Sequence, residues 1–225
     1  IECDAQDTAL TIFSTLNDRG MPLADSDIFK AQIYRNCKSD DERKAFTEMW
    51  KELTQICKEG QLSIDDIFRY YTHVLRARKG DKSKEVGLRK FYAENKYERL
   101  KTDNVINEIM SLATFWRFIN TEIEPDCDYS YSISTPTKIY LHCLTHYPNE
   151  YWKYATSVFF MKNQNSETFD EDFQILLKKL IAFLFAKFIE QPTVNAIKDD
   201  IYNSCISIHT NNKIQHKFSL NEQSL

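Results

Sequence analysis

The chain has 225 residues and a formal net charge of −4, from 29 basic and 33 acidic side chains. It is 42% hydrophobic and contains only 4 Gly and 5 Pro, which favours long helices over a turn-rich β architecture. The nearly balanced charge argues against a protein that coats nucleic acid and against a polybasic membrane binder. Six cysteines without a C-x-x-C pair, and no run of 18 apolar residues, predict a cytoplasmic protein with reduced thiols and no membrane partner.

The first informative stretch, Ala9–Tyr34, has the pattern of a helix, a tight turn and a second helix. Apolar residues at helical spacing predict the first helix, and Gly20 suits the left-handed position that closes it. We expect Asp25 to be the N-cap of the second helix, with a buried face formed by Ile28, Phe29 and Ile33.

Further helices follow in chain order, each with start and stop signals. Ser39 or Asp40 begins one that Gly60 ends, and Ser63 and Asp66 have the spacing of a capping box. Helical spacing predicts that the helix after this capping box has a buried face: Ile67, Phe68, Tyr71, Val74 and Leu75. Later helices are predicted over Leu88–Leu100, from Thr102, and from Thr135-Pro136 to Tyr147. Pro148 and Asn149 start another helix that ends at about Phe160. The last two predicted helices begin at a capping box formed by Thr168 and Glu171 and at Pro192. The helix from Thr168 carries the longest apolar stripe and is predicted to be central.

These elements predict an all-α fold, an irregular multi-helix bundle of roughly nine or ten helices. The most irregular stretch is Glu124–Thr135, which suggests a boundary between subdomains. We therefore expect a junction region at 1–38, a first helical subdomain at 39–125, and a second helical subdomain with a polar tail at 126–225.

Part of the first stretch resembles a known family. The pattern Ile12-Phe13-x-x-Leu16-Asn17-x-x-Gly20-x-x-Leu23-x-x-x-Asp27-x-x-Lys30 is similar to the signature that closes the ParB-like N-terminal domain of GmrSD-type restriction endonucleases. In that family a nucleotide-binding domain with an Asp-Gly-Gln-Gln-Arg motif precedes the signature. A helical region follows it, and many members then have an HNH nuclease domain. This chain contains neither catalytic motif.

The resemblance implies a non-catalytic helical connector of an anti-phage nuclease, which couples a nucleotide-binding domain to a nuclease domain. Its partners would be those flanking domains of the same protein, and DNA. It also implies that the junction residues help to shape the nucleotide pocket: Asn17, Gly20, Leu23 and Lys30. We expect no enzymatic activity and no cofactor in this chain.

Residues 76–101 contain ten basic and four acidic residues, a net charge of +6 in a chain whose net charge is −4. Lysine and arginine neutralise phosphates, and interleaved aromatic rings can stack on bases. The competing interpretation is a solvated helix face with Phe91 and Tyr92 in the core. The predicted DNA contacts are Arg76, Arg78, Lys79, Arg89, Lys90 and Arg99.

Other polar groups have residue types that occur in metal or catalytic sites. His142 and His146 are spaced to share a helix face, yet zinc needs a third ligand that the sequence does not supply. His209 and His216 lack the spacing of an HNH nuclease. Carboxylates around one turn, at Asp18, Asp25 and Asp27, are better explained by the helix N-terminus. Two further alternatives stay open: a stand-alone helical module that binds a protein, and a metalloenzyme built on the histidine pair.

Overall fold

Helices account for nearly all of the regular structure. The computed structural model describes residues 23–102, 104–121, 133–191 and 193–210, and within these ranges it contains no strand. The α-helices there are α1 (Asp25–Asn36), α2 (Asp40–Glu59), α3 (Ile64–Lys79), α4 (Leu88–Ala93), α5 (Val105–Thr121), α6 (Thr135–Thr145), α7 (Tyr151–Asn163), α8 (Phe169–Glu190) and α9 (Lys198–Thr210). Short 3-10 helices cover Glu98–Leu100 and Val194–Ile197. The predicted all-α multi-helix bundle is confirmed.

Two predicted helix starts are confirmed by their hydrogen bonds. The Ser39 hydroxyl accepts the backbone N–H of Glu42 at the start of α2. At the start of α3, Ser63 and Asp66 form a reciprocal capping box, in which each side chain accepts the other residue's backbone N–H. These local signals succeed because both partners lie within one turn of chain.

Two other predicted capping interactions are wrong. The N-cap of α1 is Ala24, and Asp25 is already helical. The N–H of Ser26 instead donates to the Asp65 carboxylate at 2.7 Å, so a side chain from α3 supplies the missing cap. At α8, Thr168 is the N-cap residue as predicted, but the capping box with Glu171 is wrong. With a ψ of 17°, Thr168 lacks the extended backbone from which an N-cap hydroxyl reaches the first turn, and it makes no capping bond.

The core is organised around α3, which packs against α7, α9, α5, α2 and α1. Its predicted inner face is confirmed for Ile67, Phe68, Tyr71 and Val74, all at most 2% exposed. Helices from 39–125 and from 126–225 thus pack together through α3, α7 and α9. The division into those two subdomains stays a prediction, and most of the proposed boundary lies outside the described residues.

Helix α8 lies at the edge of the bundle and not at its centre. It packs mainly on α6 and more lightly on α7, and Phe185 and Phe188 are half exposed.

The helix predicted over Leu88–Leu100 is also interrupted. Three consecutive residues with positive φ, Asn95, Lys96 and Tyr97, separate α4 from the first 3-10 helix. Phe91 and Tyr92 belong to the core, as the competing interpretation of this segment held.

Gly60 is required for packing and not only for ending α2. A Cβ at this position would lie 2.9 Å from the Arg117 Cα on α5. Because glycine has no side chain, the end of α2 can approach the α5 backbone this closely. The Asn120 side-chain amide donates to the Gly60 carbonyl at 2.8 Å and closes the contact.

Within the described ranges, no helix is both long enough and apolar enough to cross a membrane.

Candidate nucleic-acid interface

The predicted DNA-contact residues divide into two groups. Arg76, Arg78, Arg89 and Arg99 all have partners within the protein. Arg76 is 5% exposed, donates to the Ser83 carbonyl and pairs with Asp81. Arg78 makes a two-pronged contact with the Glu108 carboxylate at 2.8 and 3.0 Å.

The other two arginines fasten α4 to its neighbours. Arg99 donates to the Phe91 carbonyl and pairs with Glu94, and its guanidinium lies 4.1 Å from the Phe91 ring centroid. Arg89 donates from Nε to the Asp25 carboxylate at 2.8 Å and from Nη2 to the Leu23 carbonyl at 2.9 Å. The four arginines therefore hold the scaffold together.

Most lysines of the same segment are different, although Lys101 pairs with Glu98. Lys79 and Lys90, both predicted contacts, are exposed, and so are Lys82 and Lys84 on the loop between α3 and α4. None of these four lysines forms an ion pair with the residues that the structure describes. Their ammonium groups are thus available to an external anion, and they surround the end of α3 and the loop after it.

A cleft of about 560 Å³ lies between this loop and α9. The basic groups on its wall are Arg76, Lys82, Lys84 and Lys198, and the acidic groups are Asp81, Glu85 and Asp199. A second, smaller cleft of about 380 Å³ lies between the same loop and α4, where Lys84 and Lys90 are joined by Arg76 and Arg99. The loop therefore separates two openings that share a buried arginine.

Glu85 anchors this loop to α9. Its Oε2 accepts the Tyr202 hydroxyl at 2.6 Å and pairs with Lys198 Nζ at 2.8 Å. The His73 imidazole beside it, together with Lys198 and Tyr202, holds the pKa of the Glu85 carboxyl well below its ordinary range. Glu85 is therefore ionised at neutral pH, and its charge fixes the loop on which the lysines stand.

His73 lies beneath this anchor and is 2% exposed. Its ring stacks on Tyr154 with 3.9 Å between centroids, and Nε2 is 3.7 Å from Glu85 Oε1 without a hydrogen bond to any described residue. Burial lowers the pKa of His73, against the opposing effect of Glu85, so the imidazole is neutral at neutral pH.

The junction residues are only partly within the described ranges. Asn17 and Gly20 lie outside them, as do Asp18, His216 and the first helix of the signature. Leu23 is partly buried, and its carbonyl is the acceptor for Arg89. Lys30 is exposed, with its ammonium 5.7 Å from the Trp50 ring centroid. Arg89 therefore connects the start of α1 directly to the basic segment.

The histidine pair does lie together at the end of α6, where His146 is the residue that follows the last helical one. The two rings are 4.6 Å apart between centroids, and both residues are exposed. His146 Nδ1 donates a hydrogen bond to the His142 carbonyl oxygen at 2.9 Å. Within the described ranges, no three histidine, cysteine, aspartate or glutamate side chains are grouped so that they could hold a metal ion. His209 is on α9, where burial lowers its pKa.

Sequence reasoning missed the group that positions the loop: His73, Glu85, Lys198 and Tyr202. These residues are up to 129 positions apart, so no local spacing connects them. One signal was present in the sequence, because His73 lies between apolar residues of a predicted helix, and a buried histidine needs a polar neighbour or must stay neutral. Fold and surface together define an all-α bundle with a lysine-rich loop held beside a cleft. No protein-family model, no curated protein and no solved structure matches the chain.

Proposed function

We propose that this chain is a non-catalytic DNA-contact module, and that its basic loop binds the phosphate backbone. The observation that carries the proposal is the group of four exposed lysines without an ion-pair partner among the described residues: Lys79, Lys82, Lys84 and Lys90. Unpaired ammonium groups gain the most from a phosphate, because no internal ion pair must be broken first.

The arginines have a supporting part in this proposal. Arg76 and the Glu85 anchor hold the loop from two sides, so the lysines are presented on a fixed support. Since phosphate contacts carry no base information, we expect binding that depends on salt and little on sequence.

The resemblance to GmrSD-type nucleases extends the proposal to coupling between a nucleotide-binding domain and a nuclease domain. Arg89 is the residue that supports this part, because it bonds the start of α1 as well as belonging to the basic segment. A shift of α1 caused by a nucleotide would pull on α4 and therefore on the loop before it. DNA and the two flanking domains are the partners in this scheme, in a cytoplasmic defence protein.

The test is a salt-dependent titration of a labelled DNA duplex against the chain. The variant Lys82→Gln, Lys84→Gln, Lys90→Gln removes two charges from the loop and one from α4. The control variant Lys44→Gln, Lys51→Gln, Lys58→Gln removes three exposed charges from α2. Both variants have the same net charge, so a difference between them reports position and not global charge.

We expect the loop variant to weaken binding and to lower the slope of log K against log salt by about 3, close to one per phosphate contact. The control variant keeps the slope of the wild-type chain. Absence of binding by the wild-type chain at low salt, or an equal loss in both variants, contradicts the proposal.

Coupling requires its own experiment in a full-length protein. Arg89→Met removes both bonds to α1 while leaving the loop lysines in place. We expect DNA binding by the isolated chain to persist and the nucleotide dependence of nuclease activity to be lost. Unchanged nucleotide dependence contradicts the coupling role, and Leu23→Asp or Asn17→Ala tests the nucleotide side of the junction in the same assay.

A specific observation favours the alternative, a module that binds a protein. An apolar groove of about 540 Å³ lies between α1, α2 and the start of α5. Ile33, Phe46, Met49 and Val105 contribute to its floor, and its rim carries Lys38 and Glu42. An amphipathic helix suits such a groove. Met49→Glu abolishes capture of a protein partner without affecting the salt-dependent DNA titration if this alternative is correct.

A further inference from the structure

The outer face of α8 has a regular pattern that the fold does not use. Six of its exposed positions form one line along the helix: Glu171, Ile175, Lys178, Ala182, Phe185 and Ile189. They are separated by 4, 3, 4, 3 and 4 residues, which is the spacing of the contact seam in a two-stranded coiled coil. The opposite face of the helix is buried against α6 and α7 through Phe173, Leu177, Leu180 and Leu184.

Residues on this seam are more apolar than a solvated face requires. Ile175 is 44% exposed, Phe185 50% and Ile189 83%, and the neighbouring Phe188 is 49% exposed. Glu171 lies at the N-terminal end of the seam, and Lys178 is the single charge among the seam positions from Ile175 to Ile189. One polar residue in an otherwise apolar seam is a known means of selecting register and the number of strands.

We propose that α8 is a homodimer interface, in which the α8 seam of one copy packs against the α8 seam of a second copy. The seam is self-complementary, because the small Ala182 provides space opposite the long Lys178 when two copies run antiparallel. A twofold contact of this kind uses the same surface on both copies and forms a closed dimer.

The available area agrees with this occupant. A fully exposed large apolar side chain offers about 200 Å², so the four exposed apolar residues offer about 450 Å² per copy. A standard interface buries about 800 Å² per partner, of which about 56% is apolar. These four side chains alone thus supply nearly all of the apolar area that a stable dimer needs.

The bundle leaves this face accessible to a second copy. Among the described residues, helix α8 packs mainly on α6, α7 and the second 3-10 helix, while Ile175, Phe185 and Ile189 stay at least 44% exposed. At about 1.5 Å per residue, its 22 residues make a helix about 33 Å long, and the seam from Glu171 to Ile189 covers about 27 Å of it. The loop lysines and the α1–α2–α5 groove belong to other elements, so dimerisation is independent of the proposed DNA contact.

The test is sedimentation equilibrium of the 225-residue chain from about 1 to 200 µM, a range that reports micromolar dissociation constants. We compare the wild-type chain with Phe185→Glu and Ile189→Glu, and use Thr54→Glu on α2 as the control. Ile189 is almost fully exposed, so its replacement does not disturb the core. Circular dichroism confirms that each variant keeps its helices.

We expect the wild-type chain and Thr54→Glu to be dimers that dissociate on dilution. Phe185→Glu and Ile189→Glu weaken association at least tenfold. A wild-type chain that is monomeric over the whole range overturns the proposal, and the seam would then belong to a different partner or to a segment of this chain. A dimer that withstands both α8 substitutions also overturns it, because association would use another surface.

Discussion

Replacing Glu85 by glutamine tests whether the loop is held by charge. The substitution preserves size and leaves an amide oxygen that still accepts the Tyr202 hydroxyl, but it removes the negative charge opposite Lys198. The shape of the anchor stays the same, so any loss of stability reports the electrostatic contribution.

The size of the effect follows from the contacts of Glu85. A hydrogen bond to a charged group contributes about 1.5–3 kcal/mol, and a neutral acceptor retains about half of that. The ion pair with Lys198 is partly exposed and adds at most about 1 kcal/mol after screening. We expect Glu85→Gln to lower the free energy of unfolding by about 2 kcal/mol, which corresponds to a Tm lower by about 4–8 °C in a protein of this size.

The assay is chemical and thermal unfolding followed by circular dichroism at neutral pH. Glu98→Gln is the matched control, since it removes an exposed ion pair with Lys101 and is expected to cost less than about 0.5 kcal/mol. A double-mutant cycle with Tyr202→Phe measures the coupling between Glu85 and its donor. If Glu85→Gln unfolds within 0.5 kcal/mol of the control, the charge of Glu85 does not hold the loop.

Three further predictions concern stability. Gly60→Ala is expected to lower the free energy of unfolding in urea by about 1–3 kcal/mol, because its Cβ meets the α5 backbone. Gly87→Ala is expected to leave that free energy almost unchanged, because a Cβ there has open space. Ser63→Ala is expected to lower the free energy of unfolding by about 1 kcal/mol because it removes the cap of α3, and Thr168→Ala is expected to lower it much less. Thermal melts of the two variants measured side by side check this difference. His73 has a lowered pKa in the fold, so the unfolded chain binds more protons and stability falls as pH falls below about 6.5.

Each of these three has a result that contradicts it. Equal unfolding midpoints for Gly60→Ala and Gly87→Ala would mean that α5 moves away at no cost. Equal losses of unfolding free energy for Ser63→Ala and Thr168→Ala would mean that the Thr168 hydroxyl also caps α8. For the histidine, urea midpoints at about pH 7.5 and 5.5 are compared with those of His73→Phe, which keeps the stack on Tyr154. An undiminished pH slope in that variant assigns the effect to other groups.

Local signals in the sequence determined much of the secondary structure. Few glycines and prolines favoured long helices, and the boundaries of α2 and α3 were marked by Ser39, Gly60 and Ser63 within a turn of each end. The buried face of α3 followed from helical spacing. Such features can be predicted from the sequence because their interactions join residues that are close in the chain. The same reasoning failed at Ala24, where the cap comes from a distant helix.

Partners that are distant in the chain were decided only by the tertiary structure. Charge counts identified segment 76–101 as basic, but they could not separate arginines with internal acceptors from lysines without ion pairs. Glu85 meets Lys198 and Tyr202 only because α3 brings the loop and α9 together. The stripe on α8 was visible as a pattern, yet which side faces the core depends on where α6 and α7 pack. Burial belongs to the assembled helices and not to any one segment of the chain.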